Sequence, residues 1–214
     1  RRPTWRALAL VAAALLVVWE PGESVAGPAT DQVKGTVDQV LKLLNDPALK
    51  GPQKLQERRG KIRKVVLERF GFTEMSKRSL GQYWNERTPE QRTEFVRLYT
   101  DLLERSYIDR VDGYRGEHVV YQGESVDGNY SEVRSKILTK KSQEVSIVYR
   151  LLMNGSNWEV YDVIIEGVSL VNNYRTQFSK IIRTSSYEGL VKKMEAKLEG
   201  EEAGEITAPK PKVR

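Results

Sequence analysis

EVSIVYRLLMNGSNWEVYDVIIEGVSLVNNYRTQF, residues 144–178, reads as strand, turn, strand and helix in immediate succession. Val145, Ile147, Tyr149, Leu151 and Met153 alternate with a period of two, the pattern of a strand with one buried face. Asn154-Gly155-Ser156-Asn157 is a hairpin turn. Trp158, Val160, Asp162 and Ile164 continue the same face on the return strand. Opposed residues of an antiparallel pair share a face, so Leu151 is expected to meet Val160 and Tyr149 to meet Asp162. Gly167 breaks the second strand. Val171, Tyr174, Phe178, Ile181 and Ile182 then recur at helical spacing. An apolar strand and an apolar helix thus follow one another with almost no loop, as two walls of a core or of a cavity.

Upstream, the period is 3.6 rather than 2. Val33, Val37, Val40, Leu41 and Leu44 mark one helix, closed by Asn45-Asp46-Pro47. Leu55, Ile62, Val65, Val66 and Phe70 mark a second, stopped by Gly71, and a short third spans 73–80. Thr88-Pro89-Glu90-Gln91 opens a fourth with an N-cap Thr, a Pro at the first helical position and a Gln three residues after the cap. Phe95, Leu98, Tyr99, Leu102, Leu103 and Ile108 line one broad face of it. After Gly113 the period changes to two: Val119 and Tyr121 begin one strand, and Val133, Ser135 and Ile137 mark another. A last amphipathic helix covers 188–198. The expected fold is α+β, with N-terminal and C-terminal helices packed on a four-stranded antiparallel sheet. The shared-face argument turns Leu151, Val160, Ile164, Val171, Tyr174 and Phe178 toward the space between sheet and helices, and Phe95, Leu98, Leu102, Ile147 and Tyr149 are candidates to join them there.

The chain has 214 residues, of which 39% are hydrophobic and 30% charged, with a net charge of +6. That suffices for a real core in a single domain. RRPTWR, the apolar run at 7–18 and Ser24-Val25-Ala26 follow the order of a secretory signal peptide, so 1–26 is expected to be cleaved and the remainder secreted, in a bacterium to the periplasm or beyond. The domain is then 27–198. Residues 199–214 mix Glu, Lys, Pro and Gly without period and are expected to form a disordered tail.

Most catalytic chemistries fare poorly. There is no Cys and one His, His118, so a Cys–His pair is impossible and a Ser–His triad would depend on a residue at a strand end. No phosphate-cradling Gly motif, metal-ligating cluster or calcium-loop spacing occurs. No catalytic residue, metal or cofactor is therefore expected. Lys and Arg alternate with Glu and Asp, which argues against nucleic acid. The helical surface around Arg58, Arg59, Lys61 and Arg63 is expected to help docking to acidic partners or anionic membrane. Asp162 is the odd residue on an apolar face and requires a partner. Arg175 and Tyr149 are the candidates, forming a structural pair or a polar lip at a cavity mouth.

Leu80-Gly81-Gln82-Tyr83-Trp84 followed by Thr88-Pro89-Glu90-Gln91-Arg92 and Phe95, together with Trp158, Tyr161-Asp162-Val163, Glu166-Gly167-Val168-Ser169-Leu170, Asn173-Tyr174-Arg175 and Gln177-Phe178, resembles the MlaC family over about residues 30–198. That resemblance implies a periplasmic phospholipid shuttle of Gram-negative bacteria, with acyl chains in a deep apolar cavity between helices and sheet. It implies phospholipid as the ligand. It also implies an inner-membrane ABC transporter complex with its substrate-binding ring and an outer-membrane lipoprotein complex as partners. The cavity-facing residues above become the expected lipid contacts. Two rival readings are a secreted enzyme using Asp162 with Tyr149 or Tyr174 as acid/base, and a structural periplasmic adaptor with a filled core.

Overall fold

The computed structural model describes residues 27–139, 143–200 and 206–208. The expected signal peptide at 1–26 and most of the expected tail lie outside the described residues. Six α-helices and five strands are present among the described residues. Helices α1 (Pro28–Asn45), α2 (Leu55–Arg69), α3 (Phe72–Leu80) and α4 (Pro89–Asp112) precede the sheet. Strands β1 (His118–Asp127), β2 (Tyr130–Leu138), β3 (Glu144–Asn154), β4 (Asn157–Ile165) and β5 (Val168–Ser169) lie side by side in chain order. Helices α5 (Leu170–Thr184) and α6 (Tyr187–Glu199) follow.

The sequence signals act where they occur. Thr88 and Gln91 form a reciprocal capping box, each side chain bonding the other's backbone N–H. Asn154 pairs with Asn157 across a two-residue turn in which Gly155 takes φ 61°, a conformation open to Gly at no steric cost. Ser169 caps α5 by accepting from the Asn172 N–H at 3.0 Å. The expected four strands are all present, and β5 adds a two-residue fifth beside β4.

One register expectation is corrected. Leu151 does oppose Val160, but Tyr149 opposes Val163 and Arg150 opposes Asp162. The register shifts between Arg150 and Leu151, leaving Tyr161 as an extra residue on β4. A bulge of this kind reverses the inward and outward parity of everything beyond it. Val163 and Ile165 therefore join the face of Ile147 and Tyr149, while Ile164 turns away to pair with Ser169 and Val148.

Burial divides into two cores. The helical one gathers Phe95, Leu98, Tyr99 and Leu102 of α4 with Tyr174, Phe178 and Ile181 of α5 and Leu190 and Met194 of α6. The sheet core joins Ala29 and Val33 of α1 to Val133, Ile147, Leu151, Trp158, Val160 and Val163. Phe70 and Tyr107 pack against both. The backbone link between α2 and α3 is pinned to β4 through a bridge from Phe70 to Val160 and a Gly71 N–H bond to the Val160 carbonyl, 2.9 Å. Of the residues assigned to a tail, Glu199 completes α6, Ile206 is buried in the helical core and Thr207 exchanges two hydrogen bonds with the Gln177 amide.

Candidate functional site

Where the two cores fail to meet, an apolar cleft of about 250 Å³ remains between α2, α4 and the sheet. One wall is Ile62, Val66, Leu67 and Phe70 of α2. The opposite wall is Thr100, Leu103, Tyr107, Ile108 and Val111 of α4. Ile147, Tyr149, Val163 and Ile165 of the sheet, with Phe72, Met75 and Leu170, complete it. Along the highly charged α2, Ile62 alone is buried. Ile62, Val66 and Leu67 face the cleft, and Leu67 remains 45% exposed.

The polar groups of the lining are nearly all satisfied internally. The Thr100 hydroxyl donates to the Val96 carbonyl at 2.7 Å. The Tyr149 hydroxyl meets that of Ser135, and burial pushes its pKa up to about 12. Arg63 pairs with Glu104 and, at 2.8 Å, with Asp101. The Tyr107 hydroxyl is shielded from solvent and finds no acceptor for its proton among the described residues. Burial raises its pKa, and Arg110, whose guanidinium lies 5.0 Å from the ring centroid, opposes that rise in part by its charge and as a donor toward the phenol oxygen.

Along one lip the α2 arginines reach across to the carboxylates of α4. Arg58 and Arg59 share Asp112 at 2.8 and 2.7 Å, and Arg59 also bonds Asp109 at 2.8 Å. The Asp112 hydrogen bond is the main influence raising the Arg59 pKa. Lys61 is occupied by Glu57 at 2.9 Å. Of the expected basic docking surface at Arg58, Arg59, Lys61 and Arg63, all four cations are paired within the chain, three of them in a charged strap across the cleft.

Of the residues expected to contact a ligand, Ile147 and Tyr149 line the cleft. Leu151 and Val160 lie in the sheet core. Phe95, Leu98, Leu102, Val171, Tyr174 and Phe178 lie in the helical core, where four aromatic rings of α4 and α5 pack edge to face. Ile164 is turned off the cleft face by the Tyr161 bulge. Sequence reasoning missed the α2 wall, Leu103 and Tyr107, and the inward turn of Val163 and Ile165. The apolar residues of α2 were visible, but nothing in their spacing separates a cleft wall from a packed face.

Asp162 is 3% exposed and fully engaged. It accepts from the Ser169 hydroxyl at 2.6 Å and the Val171 N–H at 3.1 Å, and Arg150 approaches to 3.9 Å. The expected pairing with Arg175 is corrected. Arg175 lies instead over Gly81, where a Cβ would sit 2.9 Å from its Nε and where φ is +63°. Asp162 therefore ties β4 to the first turn of α5, where the helix dipole favours a carboxylate. Gly81 and Arg175 bring the two sequence motifs together on the side of α3 and α5. Among the described residues no group of His, Asp and Glu could hold a metal ion, and no helix is long and apolar enough to cross a membrane.

This architecture defines a class: an α+β protein whose distinguishing feature is an apolar cleft strapped at one lip by ion pairs. A family model described as MlaC protein matches residues 34–196, and the chain belongs to that family. Among curated relatives, the intermembrane phospholipid transport system binding protein MlaC of Haemophilus influenzae is 22% identical over 139 residues. The match covers 63% of this chain and 65% of that relative's length. Among solved structures, a phospholipid-binding protein from Ralstonia solanacearum, in complex with a phospholipid, is 28% identical with a TM-score of 0.73. That likeness covers 80% of this chain and 97% of the other.

Proposed function

We propose that this protein is a phospholipid carrier that holds acyl chains in the cleft between α2, α4 and the sheet and performs no catalysis. The observation that carries the reading is an almost wholly apolar cleft in a fold shared with a phospholipid-bound relative. Two 16-carbon tails expose about 30 methylenes, each worth about 0.8 kcal/mol on burial. The gross penalty, on the order of 20 kcal/mol, blocks unassisted passage through water. A cleft as apolar as a bilayer removes it and leaves transfer nearly balanced in either direction.

Ligand pockets span about 300–1,000 Å³, so a two-tailed lipid requires the cleft to widen. Separation of α2 from α4 supplies that space, since charged side chains hold them together on that lip. The leader-like 1–26 supports a periplasmic address for a domain spanning 27–198. The implied partners are an ABC transporter complex with its substrate-binding ring at the inner membrane and a lipoprotein complex at the outer membrane. The enzyme reading loses support from the site: Asp162 is consumed in fastening α5, and a Tyr149 that ionises near 12 is a poor acid/base group at neutral pH. Native mass spectrometry of the protein purified from a Gram-negative periplasm tests the proposal. A copurified phospholipid, lost when the cleft is blocked, is the expected result; a protein that neither retains nor takes up phospholipid from vesicles refutes it.

A further inference from the structure

An apolar cleft carries no information about where along a lipid it grips, unless a polar group in its wall breaks the uniformity. Thr100 donates to the Val96 carbonyl, Tyr149 meets Ser135, and Arg63 and Glu104 neutralise each other. Tyr107 alone among the described cleft-lining residues holds a solvent-shielded side-chain polar atom with no well-formed hydrogen bond, and Arg110 beside it can only donate, so the phenol proton has no acceptor. A buried hydroxyl without a partner is costly, so native proteins rarely leave one without a reason. Tyr107 also occupies a special place in the fold, because its ring packs against both cores where they diverge. Arg110 beside the ring withdraws electron density and strengthens the hydroxyl as a donor.

We propose that the Tyr107 hydroxyl donates a hydrogen bond to an acyl-ester carbonyl oxygen of the bound glycerolipid and so fixes how deep the chains sit. The inference rests on the phospholipid-carrier reading. A diacyl lipid drawn into an apolar cleft by its tails brings, as the first polar atom behind the methylenes, the ester carbonyl. That oxygen is an acceptor only, which matches a phenol that lacks an acceptor. The phosphate lies further out, toward solvent. Widening of the cleft to admit the tails exposes the hydroxyl to that carbonyl.

The test pairs one protein change with one lipid change. Delipidated wild type and Tyr107→Phe are titrated with dipalmitoyl phosphatidylcholine and with its dihexadecyl ether analogue, which has the same tails and head group but no carbonyls. One net hydrogen bond corresponds to about fivefold in affinity. Tyr107→Phe is expected to weaken the ester lipid by about fivefold and leave the ether lipid unchanged, and wild type is expected to prefer ester over ether by the same factor. The lipid-free variant is expected to unfold at the wild-type temperature or above it, because an unpaired hydroxyl has been removed. Equal weakening of both lipids, no weakening of either, or a lower unfolding temperature in the lipid-free variant would each overturn the assignment. Wild type that binds neither lipid would instead overturn the carrier reading on which it stands.

Discussion

A packed core and a ligand cleft respond oppositely to changes in bulk, and Phe178 and Val66 place that contrast on two sites. Phe178 is fully buried, with the rings of Phe95, Tyr99 and Tyr174 each centred 5.6 Å from its own. Phe178→Ala leaves a cavity that costs about 3–5 kcal/mol. A domain of this size loses about 2–4 °C per kcal/mol, so unfolding should fall by roughly 6–20 °C. Total stabilities of about 5–15 kcal/mol leave most such variants folded at room temperature. Val66 faces the open cleft. Val66→Trp sends an indole into that space, and a tryptophan buries about 150–250 Å². If about 100 Å² of that is new, the lipid-free protein gains up to about 2.5 kcal/mol at about 25 cal/mol per Å². Thermal unfolding of delipidated protein, followed by circular dichroism, reads the first quantity, and native mass spectrometry of protein from the periplasm reads lipid occupancy. The expected pattern is an unstable but lipid-loaded Phe178→Ala and a stable but empty Val66→Trp. A Val66→Trp protein that is destabilised as strongly as Phe178→Ala while keeping its lipid would place Val66 in a packed core and refute the cleft.

The strap, the bulge and the buried tyrosine each yield a further expectation. Asp112→Asn deprives Arg58 and Arg59 of their shared carboxylate, so lipid exchange with vesicles should accelerate several-fold at low salt. Stopped-flow exchange of a fluorescent lipid measures it, and an unchanged rate would mean that the strap does not restrain α2. Because Tyr161 is the bulged residue, Val163→Glu should abolish lipid copurification while Ile164→Glu keeps it; the reverse outcome would restore the regular register. Alkaline pH should destabilise the protein. The Tyr149 phenol ionises near 10 in the unfolded chain and near 12 in the fold, so its contribution is complete below pH 10 and is lost as pH rises toward 12. Tyr149→Phe should flatten that part of the urea-stability profile, and an unaltered slope between pH 10 and 12 would contradict it.

Much of the fold is legible because its signals are local. The capping box at Thr88 and Gln91, the change of period after Gly113, the turn at Gly155 and the Ser169 cap each draw on a few neighbouring residues. Leu151 opposite Val160 was legible too, because it lies between the hairpin turn and the first irregularity. The four residues beyond the bulge were not, since nothing in YDVII marks Tyr161 as the extra one. The bulge instead sets Arg150 opposite Asp162 and lets the carboxylate reach the start of α5, which are tertiary demands. The tie between Gly81 and Arg175 was equally invisible, although both residues stand in the motifs that carry the resemblance.

By itself, the sequence determined the class of fold, the element order and the family, because periodicity, caps and motifs are properties of short segments. Only the tertiary structure decided where the cleft lies. The apolar stripes of α4, α5 and α2 look alike as strings, for an apolar face is written the same way whether another helix or empty space lies opposite. Phe95, Tyr99, Tyr174 and Phe178 found one another and closed. Ile62, Val66 and Leu67 face the cleft instead, where α2 and α4 are joined at the lip by ion pairs rather than packed face to face. Burial is a property of what two surfaces do together, and that information resides in neither stretch of chain alone.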